Sequence, residues 1–151
     1  MKLSRALAGC LLAAALVSCA STPEESAAAE ARTVIDKLIA ADNLLDLEGA
    51  MGCYADDAVL LPPQGDPVRG KAAIRERYTS QFEAWRPVLR AVHQGTEVTE
   101  QELVDRGRTL GKLVSTSGGP DKVVDDEYVA KLRREHGLWR IGELAWKPRS
   151  R

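Results

Sequence analysis

Histidine, cysteine and aromatic residues are all scarce in this chain, and each shortage excludes something. Two histidines among 151 residues, His93 and His136, rule out a multi-histidine metal centre, and no zinc-type Cys/His spacing occurs. No glycine-rich phosphate loop precedes a helix, and no Gly-x-Ser-x-Gly elbow presents a nucleophile. No metal and no cofactor are therefore expected. The 21 basic and 22 acidic residues are interspersed, a formal charge of -1. That leaves no basic stripe for a phosphate backbone, so no nucleic-acid partner is expected. There is also no internal repeat and no apolar run of bilayer length.

The first 18 residues differ from the rest. Lys2 and Arg5 precede the apolar run Ala6 to Val17, which is too short to span a bilayer and has the layout of a secretion signal. Its end, Leu16-Val17-Ser18-Cys19, resembles the lipobox of bacterial lipoproteins, in which cleavage precedes the cysteine and its thiol is acylated. Each buried acyl methylene contributes about 0.8 kcal/mol, so Cys19 is expected to anchor the chain to a membrane. Ala20 in place of an aspartate points to the outer membrane, facing the periplasm, in a cell with two membranes. Removing the signal takes two basic residues and no acidic ones, leaving 19 against 22, or -3. Cys10 leaves with the signal and Cys19 is acylated. Cys53 then has no partner, so no internal disulfide is expected and its default role is a small buried apolar side chain.

The organisation that follows is a signal peptide over 1–18, a lipidated cysteine and flexible tether over 19–31, and one domain over 32–149. The tether is rich in Ala, Ser and Glu, and its distal part is a candidate helix. Ala31, Val34, Ile35, Leu38 and Ile39 recur at helical spacing. Asp46 caps a second helix, whose Leu47, Ala50, Met51 and Tyr54 share a face. A third helix is expected from Lys71 to Ala84, with Ile74, Tyr78 and Phe82 on its buried side and Trp85 following. Between the second and third helices lies a brief strand, Ala58 to Leu61, stopped by Pro62-Pro63.

The period then changes to that of strands, over Val88 to Gly95, Leu103 to Ser117, Val123 to Glu135 and Leu138 to Lys147. His136-Gly137 and the Ser117 to Asp121 segment supply hairpin turns. In the third of these strands the even positions Val124, Tyr128, Ala130 and Leu132 are apolar and form the inward face, while Asp125, Glu127 and Lys131 face water. Three helices ahead of long antiparallel strands is an α+β order, with the helices on one face of the sheet.

The stretch Leu47 to Pro63, with Tyr54-Ala55-Asp56-Asp57-Ala58-Val59-Leu60-Leu61 at its centre, is followed by Pro67-Val68-Arg69-Gly70-Lys71-Ala72-Ala73-Ile74-Arg75. Together with Trp139-Arg140-Ile141, it resembles the SnoaL-like branch of the nuclear transport factor 2 superfamily. The resemblance covers about residues 32 to 147. It implies a cone, a strongly curved antiparallel sheet with three N-terminal helices closing over an internal pocket. Ketosteroid-isomerase-like members use a Tyr on the first helix, an Asp base near the end of the first strand and a second Asp on a later strand. Carried over, these positions fall at Leu38, at Pro62 and at or near Val129, none of which can do that chemistry, so no catalytic set is named.

Asp56 and Asp57 are adjacent at a helix-to-strand junction, point apart and suit turn hydrogen bonding; the run Asp125-Asp126-Glu127 suits a solvated surface. His93 shares a strand face with Leu89 and Ala91 that is expected to point inward. The expected ligand-binding set is Tyr54, Trp85, His93 and Tyr128, mostly apolar rings with polar tips that suit a small, mostly apolar molecule. The leading expectation is a lipid-anchored envelope protein that binds such a molecule or a protein partner. One alternative is an isomerase- or hydrolase-like enzyme using His93 with a carboxylate such as Glu143; another is a dimerising scaffold with a closed pocket. A homodimer is expected if Trp139 and Ile141, which share a face of the last strand, lie on the outer side.

Overall fold

A computed structural model describes residues 21–99 and 101–149. The expected signal and Cys19 lie outside the described residues. Helix α1 spans Pro23–Leu44. Thr22 and Glu25 form a reciprocal capping box, with Glu25 N donating to Thr22 Oγ1 at 3.1 Å and Thr22 N donating to Glu25 Oε2 at 2.8 Å, and Pro23 opens the first turn. The segment expected as a tether is thus helical from Pro23, and Ala28 and Ala31 are already buried. Helix α2, Leu47–Cys53, starts from the expected Asp46 cap, and α3 runs over Lys71–Ala84 as expected.

Six strands follow one another as β1 (Tyr54–Leu61), β2 (Val68–Arg69), β3 (Trp85–Val98), β4 (Leu103–Ser115), β5 (Lys122–Glu135) and β6 (Leu138–Pro148). They form one sheet in the order β2-β1-β6-β5-β4-β3. Four of the five pairings are antiparallel; β1 lies parallel to β6. Tyr54 opens β1 rather than closing α2, and the two-residue β2 went unread because it has no periodicity to detect. His136 and Gly137, both at positive φ, make the two-residue turn between β5 and β6.

Two single-residue bulges bend the long strands and decide what faces inward. In β3 the pairing steps from His93 opposite Gly107 to Gly95 opposite Arg106, leaving Gln94 unpaired. In β6 it steps from Ile141 opposite Leu132 to Glu143 opposite Lys131, leaving Gly142 unpaired. Each extra residue reverses the alternation, because a shift of one position exchanges the two faces. The inner face therefore carries Ile141, then Leu144 and Trp146, on β6, and His93, then Thr96, on β3.

The core joins α1, α2 and α3 to this inner face through Ile35, Leu38, Met51, Tyr54, Ile74, Leu132 and Ile141. Ile141 is fully buried and Trp139 packs against the core. The outer apolar patch on which the homodimer expectation rested is therefore absent, since the strand's parity turns both side chains inward. Cys53 is buried, and desolvation pushes its thiol up to about 11, in keeping with an inert structural cysteine.

Candidate functional site

Three tyrosines and one acid define the deep end of the cone. Tyr54, from the start of β1, and Tyr78, from α3, share a hydrogen bond at 2.8 Å between their hydroxyls, and their rings meet edge to face at 6.0 Å. Tyr128 projects from the inner face of β5. These rings, with Ile35, Leu38 and Asp42 of α1, wall a cavity of about 150 Å³. The half-buried Ile39, Arg77, Gln81, Leu89, Val124, Asp126 and Trp146 form its rim. A void of this size accommodates a single six-membered ring.

Asp42 follows Ile35 and Leu38 on the stripe that α1 turns toward the sheet. Its residue exposure is 6%, and its Oδ1 has no hydrogen-bond partner. Burial alone pushes the carboxyl up to about 8, so at neutral pH it carries a proton. A buried carboxylic acid with an unpartnered oxygen in a cavity wall can donate a hydrogen bond to a ligand oxygen or accept one from it. Next to it, Asn43 clamps the wall: its amide donates to the Leu89 carbonyl and accepts from the Leu89 amide, both at 2.8 Å. The side chain thereby substitutes for a missing neighbour on the edge strand β3.

Behind Tyr128 lies a second polar cluster. Asp105 of β4 is fully enclosed, and its Oδ1 accepts from the Thr96 hydroxyl at 2.8 Å. Its Oδ2 accepts from the Tyr128 hydroxyl at 2.8 Å and lies 2.9 Å from His93 Nδ1. His93 Nε2 lies 3.1 Å from Asp36 Oδ1, and Arg32 Nε donates to the Thr96 hydroxyl at 3.1 Å. Gly107 makes room for this cluster, because a Cβ there would stand 2.6 Å from the Tyr128 hydroxyl and 2.4 Å from the Val92 carbonyl.

Of the four expected ligand residues, Tyr54 and Tyr128 line the cavity. His93 faces inward as expected but stands behind Tyr128, with both ring nitrogens taken up by carboxylate oxygens. Its partners are Asp105 and Asp36 rather than Glu143, which pairs with Lys131 at 2.9 Å. Trp85 is outside the cavity: it sits where α3 hands over to β3, and Lys122 Nζ stands 4.3 Å above its ring. Asp56 and Asp57 are exposed and pair separately with Lys71 and Arg133.

Reading the sequence missed Asp42, Asp105, Asp126 and Arg77. Three of them carried a signal. Asp42 extends the apolar stripe of α1, Asp105 shares parity with Leu103, and Asp126 stands between the inward Val124 and Tyr128. Asp126 was assigned to a solvated run, yet it lines the cavity, and burial followed by the neighbouring Asp125 raises its carboxyl. Among the described residues no group of three His, Cys, Asp or Glu side chains is placed to hold a metal ion.

Comparison with solved structures finds the same cone repeatedly. A ketosteroid isomerase-like protein from Erwinia carotovora atroseptica superposes with a TM-score of 0.74 at 21% identity, covering 82% of this chain and 97% of that one. A conserved protein from Planctomyces limnophilus gives 0.73 at 20% identity over 82% and 98%. A protein with a cystatin-like fold from Nostoc punctiforme gives 0.64 at 13% identity over 80% and 90%. Identities this low establish shared fold and leave the chemistry to the site. A comparison with curated protein sequences returned no match. Residues 32–141, most of the chain, match the SnoaL-like domain family, and the chain belongs to that family.

Proposed function

We propose that this SnoaL-like domain is a receptor for a small, mostly apolar ring compound bearing a hydrogen-bonding oxygen, held in the cone with that oxygen at Asp42. The observation that supports this reading is the orphan Asp42 Oδ1 in the wall of a ring-sized cavity. A buried polar atom without a partner costs about 1–3 kcal/mol, which a ligand oxygen recovers on binding. The cavity also favours a small molecule over a protein partner as the occupant. Phenol should bind the purified domain at least tenfold more tightly than toluene, followed by NMR shifts of the Trp146 indole. Asp42→Leu should remove that preference. Failure of both ring compounds to bind would end the reading.

A second reading is favoured by the same carboxyl. An acid pushed up to about 8 is matched to proton transfer near neutral pH, so Asp42 is the group that would act as general acid or base on a bound substrate. The ketosteroid isomerase-like neighbour is consistent with such chemistry. His93 is a poorer candidate because both of its nitrogens are engaged. Asp42→Asn separates the readings: a receptor keeps most of its affinity, whereas an enzyme keeps binding and loses turnover.

From the sequence we further propose that Cys19 carries the lipid anchor and holds the domain on the outer membrane, facing the periplasm. The capping box starts α1 at Pro23, four residues after Cys19, so extended chain between them reaches at most about 14 Å. The cone then stays close to the bilayer. Cys19→Ser should move the protein from the membrane fraction to the soluble envelope fraction; unchanged partitioning would remove the proposal.

A further inference from the structure

Resting on that cavity reading, we infer that the ligand is an anion: a ring carboxylic acid with a second oxygen function, whose carboxylate pairs with Arg77 at the cavity rim. Arg77 is the single cation among the described residues that line the cavity. It is half-buried on α3, and its guanidinium stands 5.6 Å over the ring of Trp146, another rim residue. A guanidinium held over an aromatic face by cation–π attraction keeps its N–H groups available to a planar acceptor.

Arg77 has no ion pair and no side-chain hydrogen bond among the described residues. Two other arginines are paired. Arg75, two positions earlier on the same helix, holds Glu48 through both guanidinium nitrogens, and Arg108 pairs with Asp125 at 2.7 Å. The acids that share the cavity do not serve Arg77 either. Asp42 is protonated at neutral pH, and Asp126 belongs to β5 and makes no ion pair with it. A partly desolvated guanidinium without a counter-charge is unfavourable, and a ligand carboxylate supplies the missing partner in bidentate geometry. Gln81, one helical turn further along α3, adds an amide donor to the same rim. The cavity thus offers a hydrogen-bonding acid at its floor, apolar and aromatic walls sized for one ring, and a cation at its mouth.

The test compares 4-hydroxybenzoate with 4-hydroxybenzyl alcohol, which share the ring and the phenol but differ in charge. Titrations are followed by calorimetry and by the Trp146 indole resonance at pH 7, with the full domain and with the variants Arg77→Gln and Arg77→Lys. The expected result is at least tenfold tighter binding of the carboxylate, weakened by added salt. Arg77→Gln should abolish that preference while leaving the alcohol's affinity unchanged, and Arg77→Lys should retain part of it. If the alcohol binds wild-type protein as well as the carboxylate does, the cavity reading stands and the anion inference falls. Equal weakening of both ligands by Arg77→Gln also overturns the inference, because Arg77 then only shapes the wall through Trp146. If neither compound binds, both readings fall together.

Discussion

At the scale of single residues, Asp42 concentrates the conflict between stability and function. Its carboxyl ionises near the ordinary value of 3.8 in the unfolded chain and only at about 8 in the fold. Between those limits the native state holds a proton that the unfolded state has released. Stability therefore falls as pH rises through that window, by up to about 1.4 kcal/mol per pH unit, and levels off above it. Asp42→Asn removes the titration while keeping the shape. Urea unfolding at pH 5 and at pH 7.5 should show the variant gaining stability relative to wild type as pH rises. Parallel curves for the two proteins would mean that Asp42 is hydrated in solution. A fold that keeps such a residue on its core stripe is giving up stability for something, and ligand recognition is the use its position suggests.

Among the elements, the β3 bulge does most to build the interior. Thr96 reaches Asp105 only because the unpaired Gln94 reverses the strand's alternation after His93. Deleting Gln94 restores regular pairing with Gly95 still opposite Arg106 and Thr96 still opposite Asp105, so Thr96 keeps its inward face and the enclosed carboxyl keeps its donor. Thr96→Val at unchanged strand length removes that donor and should cost about 1–3 kcal/mol, and the deletion should cost less than this substitution. A deletion that destabilises as much as Thr96→Val in chemical denaturation would show that the bulge itself holds Thr96 against Asp105. The start of α2 and the span of α3 were legible, since Asp46 and the apolar spacing over Lys71–Ala84 are local signals. The capping box Thr22-Pro23-Glu24-Glu25 was equally local, but the alanine-rich composition around it read as a tether. Bulges left no such trace, because an extra residue in a strand looks like any other until its partner strand is known.

At the scale of the whole molecule, the cone gathers all three tyrosines of the chain, Tyr54, Tyr78 and Tyr128, into its interior. Burial raises each phenol well above its ordinary value near 10, and for Tyr128 the hydrogen bond to Asp105 adds to the effect. The native state thus keeps protons that the unfolded chain gives up, so these groups withdraw stability as pH climbs above about 10. An alkaline titration read at the phenolate absorbance should show no ionised tyrosine while the far-ultraviolet dichroism is intact. All three should then appear in one step with unfolding. A phenolate titrating near pH 10 in folded protein would place that ring in water and open the floor of the cavity.

The sequence by itself determined the α+β class, the start of α2 and the span of α3, the order of the long strands, the inward parity of β5 and the likeness to the SnoaL-like family. Each follows from periodicity, capping or local strings that act over a few residues. Only the tertiary structure decided which polar side chains share an interior. Asp42, Asp105 and Arg77 lie on three different elements, and their chemistry depends on burial and on partners distant along the chain. Trp85 shows the converse: its aromatic character marked it for the cavity, yet its place at the α3–β3 junction set it against Lys122. Desolvation and cross-strand register are properties of the assembled cone, and they convert an ordinary-looking aspartate on a helix into a buried acid in the cavity wall.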